Sequence, residues 1–549
     1  MSNQRPEPAT LVLGPLLRYV GTTTATVWVK TSAPATVEVL GHRAQTFTVH
    51  GHHYALVVIE DLTPGTVTPY DVRLGDRRVW PVDGARPQCA IHTRHHERRA
   101  RLVFGSCRVM APSVPPYTLP PDQHKEGMGV DALWAYARRL QGGQADWPDA
   151  LVLLGDQMYV DEVSPGTLEF IRSRRDVRQP PGEAVADFEE YTQLYAESWS
   201  DPEIRWLLST VPSTMIFDDH EVQDDWNISS AWVEDVRRLT WWDDRVTAAF
   251  SAYWIYQHIG NLAPPELAEE VMFRRVFEHE DAGSMLRERA RQWDRESAQS
   301  RWAYYRDFGR SRVLVVDSRA ARVLTDGRRA MVDEGEWAWI TDHARGDFDH
   351  LVIVSTLPMF LPWGIHHLEA WNEAVCEGRW GRLAARLGEK IRRAGDLEHW
   401  AAFNHSFEQM LDLLRDVAAG RGGAAPASVV LLSGDVHTTY AVEVDLDAPD
   451  VSGRVVQVAC SPFRNQMPPH QRRVVRAAGS RLAGAVFGRL ARWAGVAPPT
   501  ASWRYIEQRT FDNAIGELRL DGSSATVQLF RATAAGGGSL EPIRQLTIS

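Results

Sequence analysis

The sequence predicts an α/β protein that carries an all-β domain at its N-terminus. In residues 9–96, short segments alternate apolar and polar side chains between turn residues, as in ATVWVK at residues 25–30, which is typical of a small antiparallel sandwich. From residue 97 onward, nearly continuous Val, Leu and Ile runs recur at long intervals with helical stretches between them. This alternation is typical of a layered α/β domain. We therefore predict two domains, residues 1–96 and residues 97–549.

The N-terminal domain contains a turn of sequence LTPGT at residues 62–66, directly before the alternating segment YDVRL at residues 70–74. A Leu-x-Pro-Gly-Thr turn before a Tyr-containing strand resembles a fibronectin type III module. The resemblance implies an immunoglobulin-like sandwich for residues 1–96. Residues 84–101, which include Pro87 and a run of His and Arg, are expected to form the linker.

The second domain contains apolar runs with the composition of strands that are buried on both faces. They are residues 101–104, 150–154, 214–217, 312–316, 351–354, 428–432 and 454–458. Two insertions, near residues 160–212 and 228–300, are predicted to be helical and are rich in Trp, Arg, Asp and Glu. We interpret their tryptophans as helix-packing residues. The alternative is a cap that shapes the mouth of a pocket.

Composition limits the classes of partner. The chain has 549 residues and a net charge of −11, so the overall basic surface of a duplex-binding protein is not expected. No apolar stretch reaches the roughly 20 residues that a transmembrane helix needs. Four cysteines do not make a disulfide framework, and the N-terminal segment lacks the pattern of a signal peptide. We therefore expect a cytoplasmic protein, with its oligomeric state left open.

One segment of the second domain is basic and amphipathic. It runs from Ser480 to Val496 and carries Arg481, Arg489 and Arg492 among apolar residues. We interpret it as a helix that covers the core with its apolar face. The alternative is a helix that lies on a membrane surface.

Polar motifs follow several of the apolar runs directly, at the edge where open α/β sheets bind ligands. These motifs contain Cys107 and Arg108 (FGSCR), Asp156 and Tyr159 (GDQMY), Asp219 and His220 (FDDHEV), Ser355 and Thr356 (STLPM), and Asp435 and His437 (SGDVHTT). Adjacent carboxylates such as Asp218 and Asp219 repel each other unless they are paired or bind a metal. The set therefore predicts a metal centre. The alternatives are a buried apolar role for Cys107, a helix-capping role for Asp156 and a plain strand end at Ser355.

The motifs stand in the same order as the metal-binding blocks of the calcineurin-like metallophosphoesterases, and their departures from those blocks resemble the PhoD-like (alkaline phosphatase D) family. Gly155-Asp156 with Tyr159 resembles the second block in its tyrosine form. Asp219 stands where the third block has Asn, and Asp435 where the last has His. FGSCR stands in the place of the first block, and Val316–Arg319 and Glu336-Trp337 resemble further landmarks. The resemblance implies a four-layer αββα sandwich.

The resemblance also implies the cofactors. A ferric ion would be held by Cys107, Asp156, Tyr159 and His437, and a second cation by Asp156, Asp219 and Asp435. Thiolate and phenolate ligands suit iron, whereas oxygen ligands alone suit Ca²⁺, Mg²⁺ or Mn²⁺. The lone-His block of the superfamily has no evident match. Thr356 lies nearest in sequence, and His366 and His367 are the weaker candidates.

The implied activity is hydrolysis of phosphate monoesters or diesters by a hydroxide held between two cations. His220 would protonate the leaving oxygen, and Arg108 and Arg319 would bind the phosphate unless they form structural ion pairs. The substrate would be a small-molecule phosphate ester, a lipid or a nucleotide. One alternative is a hydrolase with Cys107 as nucleophile and His220 as base. Another is a non-catalytic metal-binding protein that recruits a partner.

Overall fold

The N-terminal part of the chain is all-β in the computed structural model, which describes residues 7–82, 84, 86–95, 99–296, 300–325 and 327–549. Its strands are β1 (Leu11–Val20), β2 (Ala25–Thr31), β3 (Thr36–Val39), β4 (His42–Gln45), β5 (Phe47–Val49), β6 (His52–Ile59), β7 (Val67–Pro69), β8 (Val72–Leu74), β9 (Arg77–Trp80) and β10 (Ala90–His92). One sheet has the order β1-β2-β6-β5 and packs against a second with the order β4-β3-β8-β9, while β7 pairs with β10. The predicted all-β start of the chain is confirmed.

The rest of the protein is built around two mixed sheets. Their strands are β11 (Arg99–Gly105), β12 (Ala150–Leu154), β13 (Ser213–Ile216), β14 (Tyr304–Phe308), β15 (Ser311–Val316), β16 (His350–Ser355), β17 (Ser428–Ser433), β18 (Thr439–Asp445), β19 (Arg454–Ala459), β20 (Ser502–Thr510), β21 (Ala514–Asp521), β22 (Ser524–Thr533) and β23 (Ser539–Thr547). The first sheet has the order β13-β12-β11-β21-β22-β23 and the second the order β14-β15-β16-β17-β19-β18-β20.

Helices cover the outer faces of these sheets and form the insertions. They are α1 (Ala132–Gln141), α2 (Pro165–Arg174), α3 (Phe188–Ser200), α4 (Pro202–Thr210), α5 (Ser230–Val236), α6 (Trp242–Ala252), α7 (Pro264–Glu269), α8 (Val271–Arg275), α9 (Gly283–Arg295), α10 (Glu334–His343), α11 (Trp363–Cys376), α12 (Arg382–Ala394), α13 (Asn404–Ala418), α14 (Pro469–Ala478) and α15 (Arg481–Trp493). Among the described residues we find no helix whose length and apolar content would let it traverse a bilayer.

The two sheets pack face to face. Val103 and Val152 of the first sheet share one buried cluster with Val430 and Val456 of the second. Helix α1 lies against β21–β23, and helices α10 and α13 lie against β15, β17 and β19. The layer order is therefore helix, sheet, sheet, helix, and the predicted α/β fold class is confirmed.

The parallel strands bring their carboxyl ends to one edge. Strands β11, β12 and β13 are parallel neighbours in the first sheet, as are β15, β16, β17 and β19 in the second. The two edges also contact each other, because the amide of Asp435 after β17 donates to Ser106 Oγ after β11, at 3.2 Å. Segments that lie far apart in the chain therefore end side by side.

The β-sandwich and the helical insertions share a buried interface. Trp28 and Tyr54 of the sandwich contact the ring of Tyr256, and Arg18 donates to the backbone oxygens of Tyr256 and Gln257 at 2.6 and 2.8 Å. Arg18 is fully buried. The sandwich therefore packs against the helical insertions through buried side chains.

The predicted linker over residues 84–101 is shorter than expected. Residues 90–92 form β10, and β11 already begins at Arg99. The predicted domain boundary at residue 96 lies outside the described residues, so the division into residues 1–96 and 97–549 stays a prediction.

The tryptophans of the insertions are mostly core residues. Four of them are buried: Trp206, Trp226, Trp232 and Trp242. The ring of Trp226 contacts the rings of Phe217 and Phe250. Their burial supports the interpretation as packing residues.

The amphipathic segment from Ser480 to Val496 forms helix α15. Within the helix itself, Arg481–Trp493, only Gly488 and Ala491 are buried, whereas Leu482 and Trp493 are largely exposed. The interpretation as a helix that covers the core with its apolar face is therefore wrong, because its small residues face the protein.

Candidate metal centre

Four of the predicted ligands lie on left-handed backbone directly after buried parallel strands. Cys107 follows β11 with a φ of 57°, and Asp156 follows β12 with a φ of 52°. Asp435 and His437 follow β17 with φ values of 63° and 47°. Non-glycine residues rarely adopt this region, which costs on the order of 1–3 kcal/mol each and is concentrated at functional sites. The strand ends are thus bent to aim these side chains at a common point.

Glu221 holds the bend after β12 in place and ties it to the end of β13. Its carboxylate accepts hydrogen bonds from the amides of Asp156, Gln157 and Asp218, at 3.1, 2.9 and 2.9 Å. Burial raises the pKa of Glu221 to about 7, although these amides oppose the shift. In the sequence, Glu221 stands out only as one acid of the FDDHEV motif. The Asp-x-x-Glu spacing of a capping box, which Asp218 and Glu221 form, was the signal that could have identified it.

The first group of ligands, which we name the sulfur–phenol half, consists of Cys107, Asp156, Tyr159 and His437. Asp156 Oδ2 lies 3.3 Å from Cys107 Sγ and 3.4 Å from the Tyr159 hydroxyl, which lies 3.5 Å from His437 Nε2. Ligands with bonds of about 2.0–2.3 Å to one tetrahedral ion are separated by about 3.3–3.8 Å. Three neighbouring pairs of this half, Cys107–Asp156, Asp156–Tyr159 and Tyr159–His437, therefore have the spacing of ligands that bind one metal ion.

Burial sets the protonation of this half. It raises the pKa of the Cys107 thiol, with further increases from the carboxylates of Asp156 and Asp435, and it raises the pKa of Tyr159 as well. Burial and His220 together lower the pKa of His437 to about 4. The imidazole is therefore neutral and able to bind a metal. A cation among these groups would favour the thiolate and the phenolate.

The second group, the carboxylate half, consists of Asp156, Asp218, Asp219 and Asp435. One oxygen of each lies within 4.8 Å of the others. Asp156 Oδ1 and Asp218 Oδ2 are buried and find no hydrogen-bond partner among the described residues. An unpaired buried carboxylate oxygen is strongly unfavourable unless a cation neutralises it. The donor set therefore fits a hard cation, and Asp156 belongs to both halves.

Comparison with known proteins identifies the family. The model of the PhoD-like phosphatase family matches residues 132–487, more than half of the chain. The protein belongs to the PhoD-like phosphatase family. It is therefore a metal-dependent hydrolase that acts on phosphoester bonds of small molecules.

A solved structure titled "Structure of PhoD" has a TM-score of 0.57 to this chain at 12% identity, and the match covers 100% of this chain and 94% of that one. At this identity the likeness is one of fold. Residues 8–91 match a family described as a domain of unknown function (DUF7800). Comparison with curated proteins gives no match.

The structure of this PhoD-like phosphatase places Arg319 inside the carboxylate half. Its Nη2 lies 3.2 Å from Asp219 Oδ1 and 3.3 Å from Asp435 Oδ1, and its other nitrogens contact Asp218 and Glu398. The side chain is fully buried. All three guanidinium nitrogens are thus committed to carboxylates. This placement does not support the predicted role of Arg319 in binding phosphate.

Arg108 is a structural residue of the same kind. Its Nε donates to Asp131 at 2.8 Å, and its Nη1 donates to the backbone and hydroxyl oxygens of Ser198 at 3.1 and 3.0 Å. Arg108 and Asp131 are both buried. The ion-pair alternative therefore fits Arg108 better than the predicted contact with phosphate.

His220 lies at the opening of the site. Its Nδ1 lies 2.9 Å from Asp161 Oδ1, and its ring stacks on Tyr159 with the centroids 4.3 Å apart. Burial alone would lower the pKa of His220, but Asp161 and Asp219 outweigh it and raise that pKa well above its usual value. The imidazole is therefore a protonated group beside the ligands. Asp161, two residues after Tyr159, was missed in the sequence because it lies outside any strand-end motif.

His399, which the sequence did not point to, lies beside the carboxylate half. Its Nε2 lies 3.1 Å from Asp435 Oδ2, and its Nδ1 lies 2.7 Å from Glu369 Oε1. It precedes a short 3-10 turn at Trp400–Ala402, so no buried strand marked it. The weaker candidates, His366 and His367, instead contact the ring of Trp363. Thr356 Oγ1 bonds Ser318 Oγ at 2.8 Å.

Proposed function

We propose that this protein hydrolyses phosphate monoesters or diesters with two cations, Fe³⁺ in the sulfur–phenol half and Ca²⁺, Mg²⁺ or Mn²⁺ in the carboxylate half. The observation that carries the proposal is the position of Asp156. Its Oδ2 faces the thiol and the phenol, while its buried Oδ1 has no hydrogen-bond partner in the part of the chain that the structure describes. A carboxylate in that position can bind one cation with each oxygen.

The ligand types support the choice of metals. A thiol, a phenol and an imidazole favour iron, whereas oxygen ligands favour harder divalent cations. When bound, the two cations supply a water of lowered pKa and neutralise charge on the phosphoryl oxygens. The chain itself contributes the protonated His220, which donates a proton to the leaving oxygen. Asp161 holds His220 Nδ1, which leaves Nε2 as the donating atom.

The cysteine-nucleophile alternative has less support. A nucleophilic thiol needs a lowered pKa and a base within hydrogen-bond reach. Burial raises the pKa of Cys107 instead. Among the described residues, its sulfur contacts Ser106, Ser461, Asp156 and the backbone oxygen of Asp435, and His220 is not one of its partners.

The test combines metal analysis with a panel of p-nitrophenyl phosphate monoesters and diesters. We expect purified protein to contain iron and a second metal, to lose activity with a chelator and to regain it when both metals are restored. Iodoacetamide should leave the metal-loaded enzyme active, because the thiol of Cys107 is buried and would be bound to the metal. Activity that survives chelation but is lost to iodoacetamide would favour the cysteine mechanism.

We also propose a cytoplasmic location. All four cysteines, which lie within the described residues, are unpaired. Unpaired thiols are typical of a reducing compartment. Fractionation of the producing cells, with immunodetection of the protein, tests this proposal, and recovery from an oxidising compartment would contradict it.

A further inference from the structure

Helix α15 exposes large apolar side chains that an ordinary surface helix would bury. Leu482, Val486 and Trp493 lie within about 40° of one another around the helix axis and are exposed, Leu482 by 74% and Trp493 by 78%. The buried Gly488 and Ala491 lie on the opposite side. In a water-soluble protein the large apolar side chains normally face the core. This helix presents three of its five large apolar side chains to the solvent, whereas Phe487 and Leu490 are half-buried.

The small residues of α15 explain this orientation. A Cβ on Gly488 would lie 3.1 Å from the ring of His367, and one on Gly484 would lie 3.5 Å from Trp363 Cβ. Both neighbours belong to α11, so close approach of the two helices fixes which side of α15 faces outward. The outward position of the large side chains is thus a consequence of tight packing.

Helices α12 and α15 both pack on α11, α14 contacts α15, and α12 and α14 carry further exposed apolar side chains. Trp493 contacts Trp380, with ring centroids 5.6 Å apart, just before the start of α12. Leu383 and Leu387 of α12 are 81% and 60% exposed, and Val474 of α14 is also exposed. We name the exposed residues of α12, α14 and α15 the basic-apolar face. A cluster of exposed large apolar side chains on adjacent helices marks an interaction surface.

The charge of this face is opposite to that of the protein. Residues 469–496, which contain α14 and α15, include six arginines and no Asp or Glu, in a chain of net charge −11. The arginines are Arg472, Arg473, Arg476, Arg481, Arg489 and Arg492. Helix α12 adds Arg382, Arg386 and Lys390, all exposed. The partner must therefore be anionic.

We propose that the basic-apolar face docks onto the surface of an anionic lipid bilayer. Arginines attract acidic headgroups, while Leu, Val and Trp side chains enter the boundary between headgroups and acyl chains. A bilayer is the anionic partner that offers apolar volume to aliphatic side chains. A second copy of the chain would place arginines against arginines in a symmetric contact.

The face lies close in the chain to the metal centre. Ser461 Oγ lies 3.1 Å from Cys107 Sγ, and α14 begins at Pro469. Eight residues span at most about 28 Å. A docked face would therefore hold the phosphoesterase centre near the lipid surface. The docking itself does not depend on the proposed metals.

Sedimentation with vesicles tests the proposal on the full-length, metal-loaded protein. The vesicles contain phosphatidylcholine alone or phosphatidylcholine mixed with phosphatidylglycerol, at about 0.1 M and 1 M salt, where the Debye length is about 10 and 3 Å. We expect binding to the mixed vesicles at the lower salt concentration, and at least about tenfold weaker binding at the higher concentration or to the neutral vesicles.

Variants separate the contributions of charge and apolar contact. The triple variant Arg473→Glu, Arg481→Glu and Arg489→Glu should weaken binding by about a hundredfold. Leu482→Glu with Trp493→Glu should weaken it at least about tenfold. The matched control replaces exposed residues elsewhere, with Val67→Glu, Arg78→Glu and Arg295→Glu. The control should bind as the wild type does.

Several outcomes would overturn the proposal. They are equal binding to neutral and acidic vesicles, wild-type binding by the variants of the face, tighter binding to an oligonucleotide than to acidic vesicles, and self-association that Leu482→Glu abolishes. All variants should keep the wild-type unfolding midpoint and the rate on soluble p-nitrophenyl phosphate. A variant that lost vesicle binding and ester hydrolysis together would disprove a separate docking face, whereas an inactive wild type that still binds vesicles would contradict only the proposed function.

Discussion

The two halves of the candidate metal centre differ in the charge that the protein itself supplies. In the carboxylate half, the guanidinium of Arg319 lies between Asp219 and Asp435. In the sulfur–phenol half, the ion pairs and hydrogen bonds of the described residues bring no Lys or Arg to Cys107, Tyr159 or His437. Arg319 thus partly neutralises the carboxylate half before any metal binds, while His220, stacked on Tyr159, is the cationic group next to the sulfur–phenol half among the described residues.

This difference implies unequal metal binding. The sulfur–phenol half combines soft and imidazole ligands with a neutral His437, so a bound ion gains strong bonds and shares none of them with an Arg or Lys side chain among the described contacts. In the carboxylate half a divalent ion has to share its oxygens with Arg319. We therefore expect tight binding in the first half and weaker, exchangeable binding in the second.

The largest effect should come from Asp156→Asn, because this carboxylate serves both halves. An amide keeps the shape but loses the charge and one ligand oxygen. We expect hydrolysis to fall by at least about a thousandfold, since each cation contributes several kcal/mol of charge stabilisation. Metal analysis should show both metals reduced. Asp76→Asn, at an exposed position, is the matched control, and a near wild-type rate for Asp156→Asn would rule out the shared site.

The next effect should come from Arg319→Met. Removing one partner of a buried ion-pair cluster is destabilising by about 3–5 kcal/mol, because the remaining carboxylates are left uncompensated. In metal-free protein we expect the free energy of unfolding to fall by this amount. Added Ca²⁺ or Mn²⁺ should stabilise the variant more than the wild type, since the ion no longer competes with the guanidinium. Equal stabilisation of both would show that Arg319 and the ion do not share oxygens.

Tyr159→Phe should affect the sulfur–phenol half alone. A phenolate bound to ferric iron absorbs visible light, so the variant should lose or shift the visible band of the wild type. The phenol does not contact the carboxylates of Asp219 or Asp435 among the described hydrogen bonds, so divalent binding should be unchanged. Activity should fall at least about tenfold, through the loss of one metal ligand. An unchanged spectrum would remove Tyr159 from the ligand set.

The comparison of halves also separates what the sequence could predict from what it could not. Cys107, Asp156, Tyr159 and His437 were predictable because each follows a buried parallel strand, and such strands end at one edge. Arg319 also follows a strand, β15, yet its chemistry suggested phosphate binding. Only the packing of β13, β15 and β17 shows that the guanidinium of Arg319 points toward the carboxylates of the carboxylate half.

Residues outside the strand ends were not predictable in this way. His399 comes from a loop between helix α12 and a short 3-10 turn, so neither periodicity nor a preceding strand marks it. Glu369, its partner, lies on helix α11. Contacts between side chains so distant in the chain depend on how helices pack over the sheet edge, which local sequence patterns do not encode. The same holds for the outward face of α15.

The smallest effect should come from Asp161→Asn, which changes no ligand of either half. Asp161 holds His220 Nδ1 at 2.9 Å, so the amide should leave the imidazole less well oriented and less basic. We expect about a tenfold loss, as for other groups that position a functional histidine. The loss should be larger for alkyl phosphates than for p-nitrophenyl phosphate, because p-nitrophenolate leaves without a proton whereas an alkoxide needs one. Metal content and the visible spectrum should stay at wild-type values. An equal loss for both leaving groups would mean that His220 acts on the bound phosphate instead of on the departing oxygen.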